Sequence, residues 1–300
     1  MLRHIVIATV LCALAAISNA HAQSSSHDPR YFRQVISNHF AVPSGASAFA
    51  LAQELTPWLA SPDPTLRDDL AYTILDIWIR HGILTDAQLL MMLPEFQHNL
   101  TSGIGEAGTD SVFRRSFSAL TLASFAQRNL QRPFLSPIQY RALLAAALNY
   151  LRDERDNRGF DPVKGWVHST AHTADLLAAL AADPHFAPAD QQMLFSAVEH
   201  RLRSATAVYT YGEQDRLGVA LLSVITRDDF QLAGFQKWLA TLQQDSAAWQ
   251  KSPPDPIQLV LFENHTYLLE AMLARMPSRT PVSPAATQAR DAIHEALRKR

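Results

Sequence analysis

The sequence predicts an all-α protein built from pairs of helices, and three observations indicate this class. Candidate helices follow one another with a break roughly every twenty residues. Similar helix starts recur at a constant spacing. Alanine and leucine dominate, glycine is scarce (10 of 300 residues), and no run of alternating β-branched residues lies between turns. We therefore expect no β-sheet.

Each predicted helix has apolar residues at helical spacing, and most begin at a polar residue or a proline. Three of them start with a side-chain N-cap followed by proline, at Asp63-Pro64, Ser136-Pro137 and Asp255-Pro256. In chain order the predicted helices cover residues 28–38, 44–60, 64–81, 86–100, 111–129, 137–152, 167–182, 188–204, 214–226, 228–244, 256–275 and 285–298.

An internal repeat relates three of these helices. Segments 84–93, 135–144 and 186–195 align, each 51 residues after the one before. A loop and a second, more apolar helix follow each of them. This pattern predicts a helix-pair repeat over residues 23–300 as one domain, either an α/α superhelix (a HEAT-like solenoid) or a closed α/α-toroid-like ring.

Composition and the N-terminus limit the partners and the compartment. A formal net charge of −2 gives no basic surface, so we expect no nucleic-acid partner. Arg3, an apolar run over residues 5–17 and the small-residue site Ala20-His-Ala22 have the pattern of a signal peptide at residues 1–22. We expect an exported protein, periplasmic or secreted, with no membrane span in the mature chain.

The most informative motif lies on the predicted helix 167–182. Its residues are nearly all apolar, alanine, serine or threonine, except for His168, His172 and Asp175, which are spaced i, i+4 and i+7. This spacing puts the three on one helical face. Ionisable groups on a buried helix must face a cavity or a polar network, because burying them unpaired is costly. They are our first candidates for catalysis.

The loops that enter the second helices carry most of the remaining charge. In a stack of helix pairs, equivalent loops lie side by side, so these loops should line one rim. Asp156 and Asp215 are the loop carboxylates that we add to the catalytic candidates. The candidates for ligand binding are Asp110, Arg114, Arg158, Lys164, Trp166 and Arg216.

Five segments carry a resemblance to a known family. They are Leu66-Arg-Asp68 with Ala71-Tyr72 and Trp78-Ile79, residues 110–120, Glu154-Arg-Asp-Asn-Arg-Gly159, residues 164–177, and Tyr211-Gly-Glu-Gln-Asp-Arg-Leu217. In this order, over about residues 66–217, the chain resembles the bacterial family catalogued as domain of unknown function 2785. The resemblance implies an all-helical domain and brings no catalytic assignment.

Three interpretations of the histidines remain open. His168 and His172 have the spacing of two histidines that bind a divalent metal such as zinc. A third ligand would come from Asp156, Asp215 or His265. Asp175 lies about 10.5 Å along the helix from His168, so it would orient His172 rather than bind the ion. The same groups could act as an acid–base site without metal. They could also be a buried network salt-linked to Arg114, Arg158 or Arg216.

The function that the sequence favours is binding of a small molecule, peptide or protein in a polar concave site. The alternative is a hydrolase-type enzyme that uses His168 and His172, with or without a metal.

Overall fold

A computed structural model describes residues 27–244, 253–276 and 283–300. The predicted signal peptide lies outside these residues. Within them the chain forms twelve α-helices: α1 (Pro29–Ser37), α2 (Ala48–Leu55), α3 (Thr73–Arg80), α4 (Asp86–Asn99), α5 (Ser111–Gln131), α6 (Pro137–Asp153), α7 (Ser169–Ala181), α8 (Pro188–Arg203), α9 (Glu213–Ile225), α10 (Leu232–Leu242), α11 (Pro256–Arg275) and α12 (Pro284–Arg298). The predicted all-α class is confirmed.

The helix starts follow local capping chemistry. Thr85 and Gln88 form a capping box at the start of α4, and Ser136 and Gln139 form the equivalent box at α6. At α8 the Asp190 carboxylate accepts the Ala187 amide hydrogen at 2.7 Å. The starts of α4, α6 and α8, at residues 86, 137 and 188, keep the spacing of 51 residues seen in the sequence.

The helices pack in two rows. Helices α5, α7, α9 and α11 lie successively side by side, and α6, α8, α10 and α12 form the second row. α7 packs between α5 and α9 and also contacts α6, so nearly all of its residues are buried. This explains its apolar sequence on all sides.

Four local features differ from the sequence prediction. The predicted helix 44–60 passes into a 3₁₀ turn at Thr56–Ala60, where Pro57 interrupts α-helical hydrogen bonding. Helix 64–81 begins as a π-helix over Thr65–Tyr72. The predicted helix 228–244 starts late, at Leu232, because residues 228–231 form a turn whose Gln231 amide hydrogen bonds to Gln191.

The fourth difference is a short antiparallel hairpin where we expected no sheet. Strand β1 (Phe160–Asp161) pairs with β2 (Gly165–Trp166). The Asp161 carboxylate accepts hydrogen bonds from the amides of Val163 and Lys164, and Gly165 takes a positive φ of 75°. Two-residue strands are too short to show alternation in sequence, so this turn chemistry was the only available signal.

No helix in the described parts of the chain is both long and apolar enough to cross a membrane.

Candidate functional site

His168 does not lie on the helix where the sequence put it. α7 begins at Ser169, and His168 precedes it with left-handed backbone angles (φ 48°, ψ 32°). The cause is the end of the hairpin, where the Gly159 carbonyl accepts hydrogen bonds from the amides of both Val167 (2.9 Å) and His168 (3.2 Å). The prediction that His168, His172 and Asp175 share one helical face was therefore wrong for His168, which lies outside α7.

The His168 ring is held by two neighbours. Its Nε2 lies 3.0 Å from the Tyr211 carbonyl oxygen, which can only accept, so Nε2 carries the hydrogen. Its face stacks on Trp166, with ring centroids 4.4 Å apart. Burial lowers the pKa of His168 to about 4, despite the opposing effect of the hydrogen bond to Tyr211. The imidazole is neutral at neutral pH.

His172 is neutral for the same reason, and its tautomer can be assigned. The Ser116 hydroxyl donates its only hydrogen to the Val167 carbonyl, so its oxygen must accept from His172 Nδ1, 2.8 Å away. His172 Nε2 is then the unprotonated nitrogen. Burial lowers the pKa of His172 well below its ordinary value, and the nearby His168 and Arg216 lower it further.

Asp175 has a different partner from the one predicted. Instead of orienting His172, its carboxylate forms an ion pair with Arg216 of α9. Burial raises the pKa of Asp175 to about 6, although Arg216 opposes this shift. Together these side chains line a cavity of about 340 Å³ between α5, α7 and α9, which we call the inner cavity and whose polar lining is Tyr72, Ser124, Gln127, His172, Asp175 and Arg216.

The predicted metal ligands are not brought together around His168 and His172. In residues 27–244, 253–276 and 283–300, no group of three or more histidine, cysteine, aspartate or glutamate side chains is arranged to hold an ion. Of the predicted third ligands, Asp156 is bound by Arg158, and Asp215 pairs with Arg275 on the surface. His265 is fully buried in α11.

The loop before α5 and the loop before α7 lie side by side, as expected from the sequence pattern. The Asp156 carboxylate accepts the Gly108 amide hydrogen at 2.9 Å and is clamped by Arg158. Lys164 pairs with Asp110 across the same junction, at 2.5 Å. Burial would raise the pKa of Asp156, but the hydrogen bonds from Arg158 and Gly108 outweigh it, so the pKa is lowered. The charged Asp156 carboxylate therefore holds the two loops together.

A buried arginine network supports these loops, and sequence reasoning missed its members. Arg115 forms an ion pair with Glu154, at 2.6 Å, and both side chains are buried. Arg201 binds the carbonyl oxygens of Glu154 and Asp156, at 2.5 and 3.0 Å. The predicted Arg114, next to Arg115, is exposed instead. Helical spacing could have indicated that Arg115 is buried, because it lies three residues after the apolar Val112 and so on the same face of α5.

The loops enclose a cleft of about 420 Å³, which we call the loop cleft. Residues 107–108, 155–160, 206–211 and 213 line it, so the loops before α5, α7 and α9 all contribute. The Tyr209 hydroxyl donates to Asn157 Oδ1 at 3.2 Å across the cleft. Glu213 is buried in its wall and accepts the Tyr211 amide hydrogen at 2.9 Å, and burial raises the pKa of this carboxyl.

Three aromatic rings stay exposed at the edge of the loop cleft. Phe160, Trp166 and Tyr211, which we call the aromatic patch, are 39%, 43% and 49% exposed. Their centroids lie 4.9 Å (Phe160–Trp166), 6.1 Å (Phe160–Tyr211) and 6.5 Å (Trp166–Tyr211) apart. Exposed apolar side chains that cluster in this way commonly mark interaction sites.

The candidate residues therefore divide between two cavities instead of sharing one. Asp156, Arg158, Phe160 and Tyr211 line the loop cleft, and Trp166 contacts Phe160 at its edge. Asp110, which pairs with Lys164, follows the lining residue Gly108 by two positions. His172, Asp175 and Arg216 face the inner cavity. His168, stacked on Trp166 and 5.6 Å from His172 between ring centroids, lies between the two groups.

The neutral state of His168 predicts a specific acid sensitivity. Because its folded pKa of about 4 is below the ordinary 6.5, its contribution to stability is complete above 6.5 and is lost as pH falls towards 4. Asparagine tolerates the left-handed backbone and keeps a donor. Between about pH 7 and pH 4.5, urea titration should show His168→Asn losing roughly 2–3 kcal/mol less unfolding free energy than the parent. Equal losses would contradict the buried neutral ring.

A scan against protein families matches residues 100–274 to the family described as "Protein of unknown function (DUF2785)". A comparison with curated proteins gave no match, and neither did a comparison with solved structures.

Proposed function

We propose that this chain, which belongs to the DUF2785 family, is an exported ligand-binding protein whose loop cleft holds a small polar molecule. Export rests on the signal-peptide pattern of residues 1–22. The ligand would lie between the loops, with an apolar part on the aromatic patch.

The observation that carries this proposal is that the patch is exposed yet fixed. Trp166 stacks on His168, whose ring is hydrogen bonded to the Tyr211 carbonyl. Arg67 is buried and donates to the Lys164 carbonyl at 2.6 Å, which ties the hairpin to the π-helix. Aromatic rings held in place bind with little loss of side-chain entropy. A preformed pocket with an apolar wall and a few polar groups is the usual form of a small-molecule site.

We also propose that the fold is a helix-pair superhelix and that this architecture creates the cleft. The constant spacing of α4, α6 and α8 and the side-by-side packing of α5, α7 and α9 support it. In such a stack the loops before α5, α7 and α9 fall at one edge, and these are the loops that line the cleft.

Binding is favoured over the hydrolase alternative because the potential catalytic groups are already engaged. Ser116 is fully buried and its hydrogen is donated to Val167, so it is not an accessible nucleophile. Both oxygens of Asp156 accept hydrogen bonds from Arg158. A histidine whose pKa is far below neutral is also a weak general base at neutral pH, which applies to His172.

A thermal-shift screen tests the proposal. Purified protein without its first 22 residues is screened against sugars, amino acids, short peptides and nucleosides. We expect at least one compound to raise the melting temperature of the parent by mass action. The same compound should have no effect on Trp166→Ala or Tyr211→Ala, because both changes remove part of the aromatic patch.

The matched control is Met193→Ala, which removes an apolar side chain of similar exposure (52%) from α8, away from the loop cleft. It should respond like the parent. A compound that stabilises Trp166→Ala and the parent equally would show that binding occurs elsewhere, and a screen without any stabilising compound would contradict the proposal.

A further inference from the structure

We infer that the ligand of the loop cleft is a saccharide, one of whose rings lies against the exposed part of Trp166. This inference rests on the binding function proposed above and specifies the chemical class of the ligand. Four features of the described residues carry it.

The first feature is that Trp166 is stacked on one face and remains partly exposed. The His168 ring lies nearly parallel to the indole, 21° between planes and 4.4 Å between centroids. Phe160 and Tyr211 meet the indole at 69° and 76° between planes, so neither of them stacks on the indole. Trp166 remains 43% exposed, so part of this supported ring is accessible to a ligand. The C–H face of a pyranose ring is complementary to such a ring.

The second feature argues against a quaternary ammonium ligand. A cation-binding aromatic cage needs rings that surround an open space. Here the rings touch each other, because the Phe160 centroid lies 4.9 Å from that of Trp166 and 6.1 Å from that of Tyr211. The three rings contact one another instead of surrounding an open space, so the patch favours a flat group over a cation.

The third feature argues against a peptide that pairs with the protein as an added β-strand. Peptides that add to a protein edge need free backbone groups. On one wall, the Tyr209 amide donates to Asn264, and the Tyr209 carbonyl accepts from Gln214. The Tyr211 amide and carbonyl are bound by Glu213 and His168.

The opposite wall is engaged in the same way. The Asp156 amide donates to Glu154, and the Asp156 carbonyl accepts from Ser169 and Arg201. The Gly159 carbonyl accepts from the amides of Val167 and His168. These backbone groups are therefore not free to pair with a peptide strand.

The fourth feature is the polar side chains of the cleft, which supply both donors and acceptors. Arg155 is an exposed donor, and the partly exposed Asn157 carries groups of both kinds. Sugar hydroxyls both donate and accept, so a ring stacked on Trp166 can direct its hydroxyl edge towards these groups. A purely apolar ligand would make no use of these groups.

The experiment is calorimetric titration of the mature chain with cellobiose, the disaccharide of N-acetylglucosamine, and maltose. A four-residue proline peptide and choline are the comparison ligands. We expect at least one disaccharide to bind and the comparison ligands not to bind. Trp166→Ala should weaken the affinity at least tenfold, whereas Trp166→Phe, which keeps a flat ring, should weaken it clearly less. Met193→Ala should bind like the parent.

The outcomes separate this inference from the proposed function. If the peptide, choline or a non-sugar compound from the thermal-shift screen binds in a Trp166-dependent way while the disaccharides do not, the saccharide assignment is wrong and ligand binding in the cleft stands. If nothing binds in either experiment, both are wrong. Should Trp166→Ala fail to fold, Tyr211→Ala and Trp166→Phe carry the comparison.

Discussion

Replacing Glu154 with Ala is expected to lower the free energy of unfolding by about 3–5 kcal/mol, because it leaves the buried Arg115 guanidinium without its counter-charge. The Glu154 carboxylate also accepts the amide hydrogens of Arg155 and Asp156, both at 2.8 Å. Its loss should therefore loosen the wall of the loop cleft as well. Urea unfolding followed by circular dichroism measures the change.

A double variant distinguishes the ion pair from general damage. Arg115→Met combined with Glu154→Leu replaces both charges by apolar groups, so it should cost less than the sum of the two single changes by about 1–3 kcal/mol. Arg152→Ala is the control, because Arg152 and Asp153 form an ion pair that is largely exposed. Its effect should stay within about 0.5 kcal/mol. A Glu154→Ala protein as stable as the parent would contradict the network.

Replacing Gly159 with Ala is expected to be the most damaging small change in the cleft. A Cβ at Gly159 would lie 2.3 Å from Glu213 Oε1 and 2.6 Å from Tyr211 Cδ2, so both side chains would have to move. Overpacking of this kind costs about 1–3 kcal/mol. Because Tyr211 belongs to the aromatic patch, ligand affinity should fall with stability, and calorimetry with unfolding measures both.

Gly234→Ala is the matched control for this prediction. Gly234 lies within α10, and a Cβ there would meet Gln192 Oε1 at an ordinary 3.5 Å. Alanine is the better helix former, so this variant should be as stable as the parent or up to about 1 kcal/mol more stable. A Gly159→Ala protein with the stability and binding of the parent would show that Tyr211 is not packed against Gly159.

Much of the fold could be predicted because it is encoded locally. The capping residues Thr85 and Ser136, the prolines at helix starts and the apolar spacing are all visible in the chain. The position of His168 outside α7 was not visible in the sequence, because its left-handed turn depends on the Gly159 carbonyl, nine residues away. A helical period cannot report such a contact.

Part of the candidate site could also be predicted, because its charged residues recur in corresponding loops of the sequence. Charge in equivalent loops indicated the contact between the first two loops, and Asp156 and Arg158 are found there. The partner of Asp175 was not predictable, since Arg216 reaches it from another helix. Arg201 was missed because it lies in α8, outside the loops, and binds their carbonyls through the interior.

The most direct test of ligand binding in the loop cleft uses the indole N–H signals of the tryptophans in a ¹H–¹⁵N spectrum. The chain has 5 tryptophans, so these signals are few, and the Trp166→Phe spectrum assigns the one of interest. During titration with the best compound from the thermal-shift screen, the Trp166 signal should shift in a saturable way, while those of the buried Trp78 and Trp238 stay in place. A saturable shift of another indole with an unmoved Trp166 signal would contradict the account.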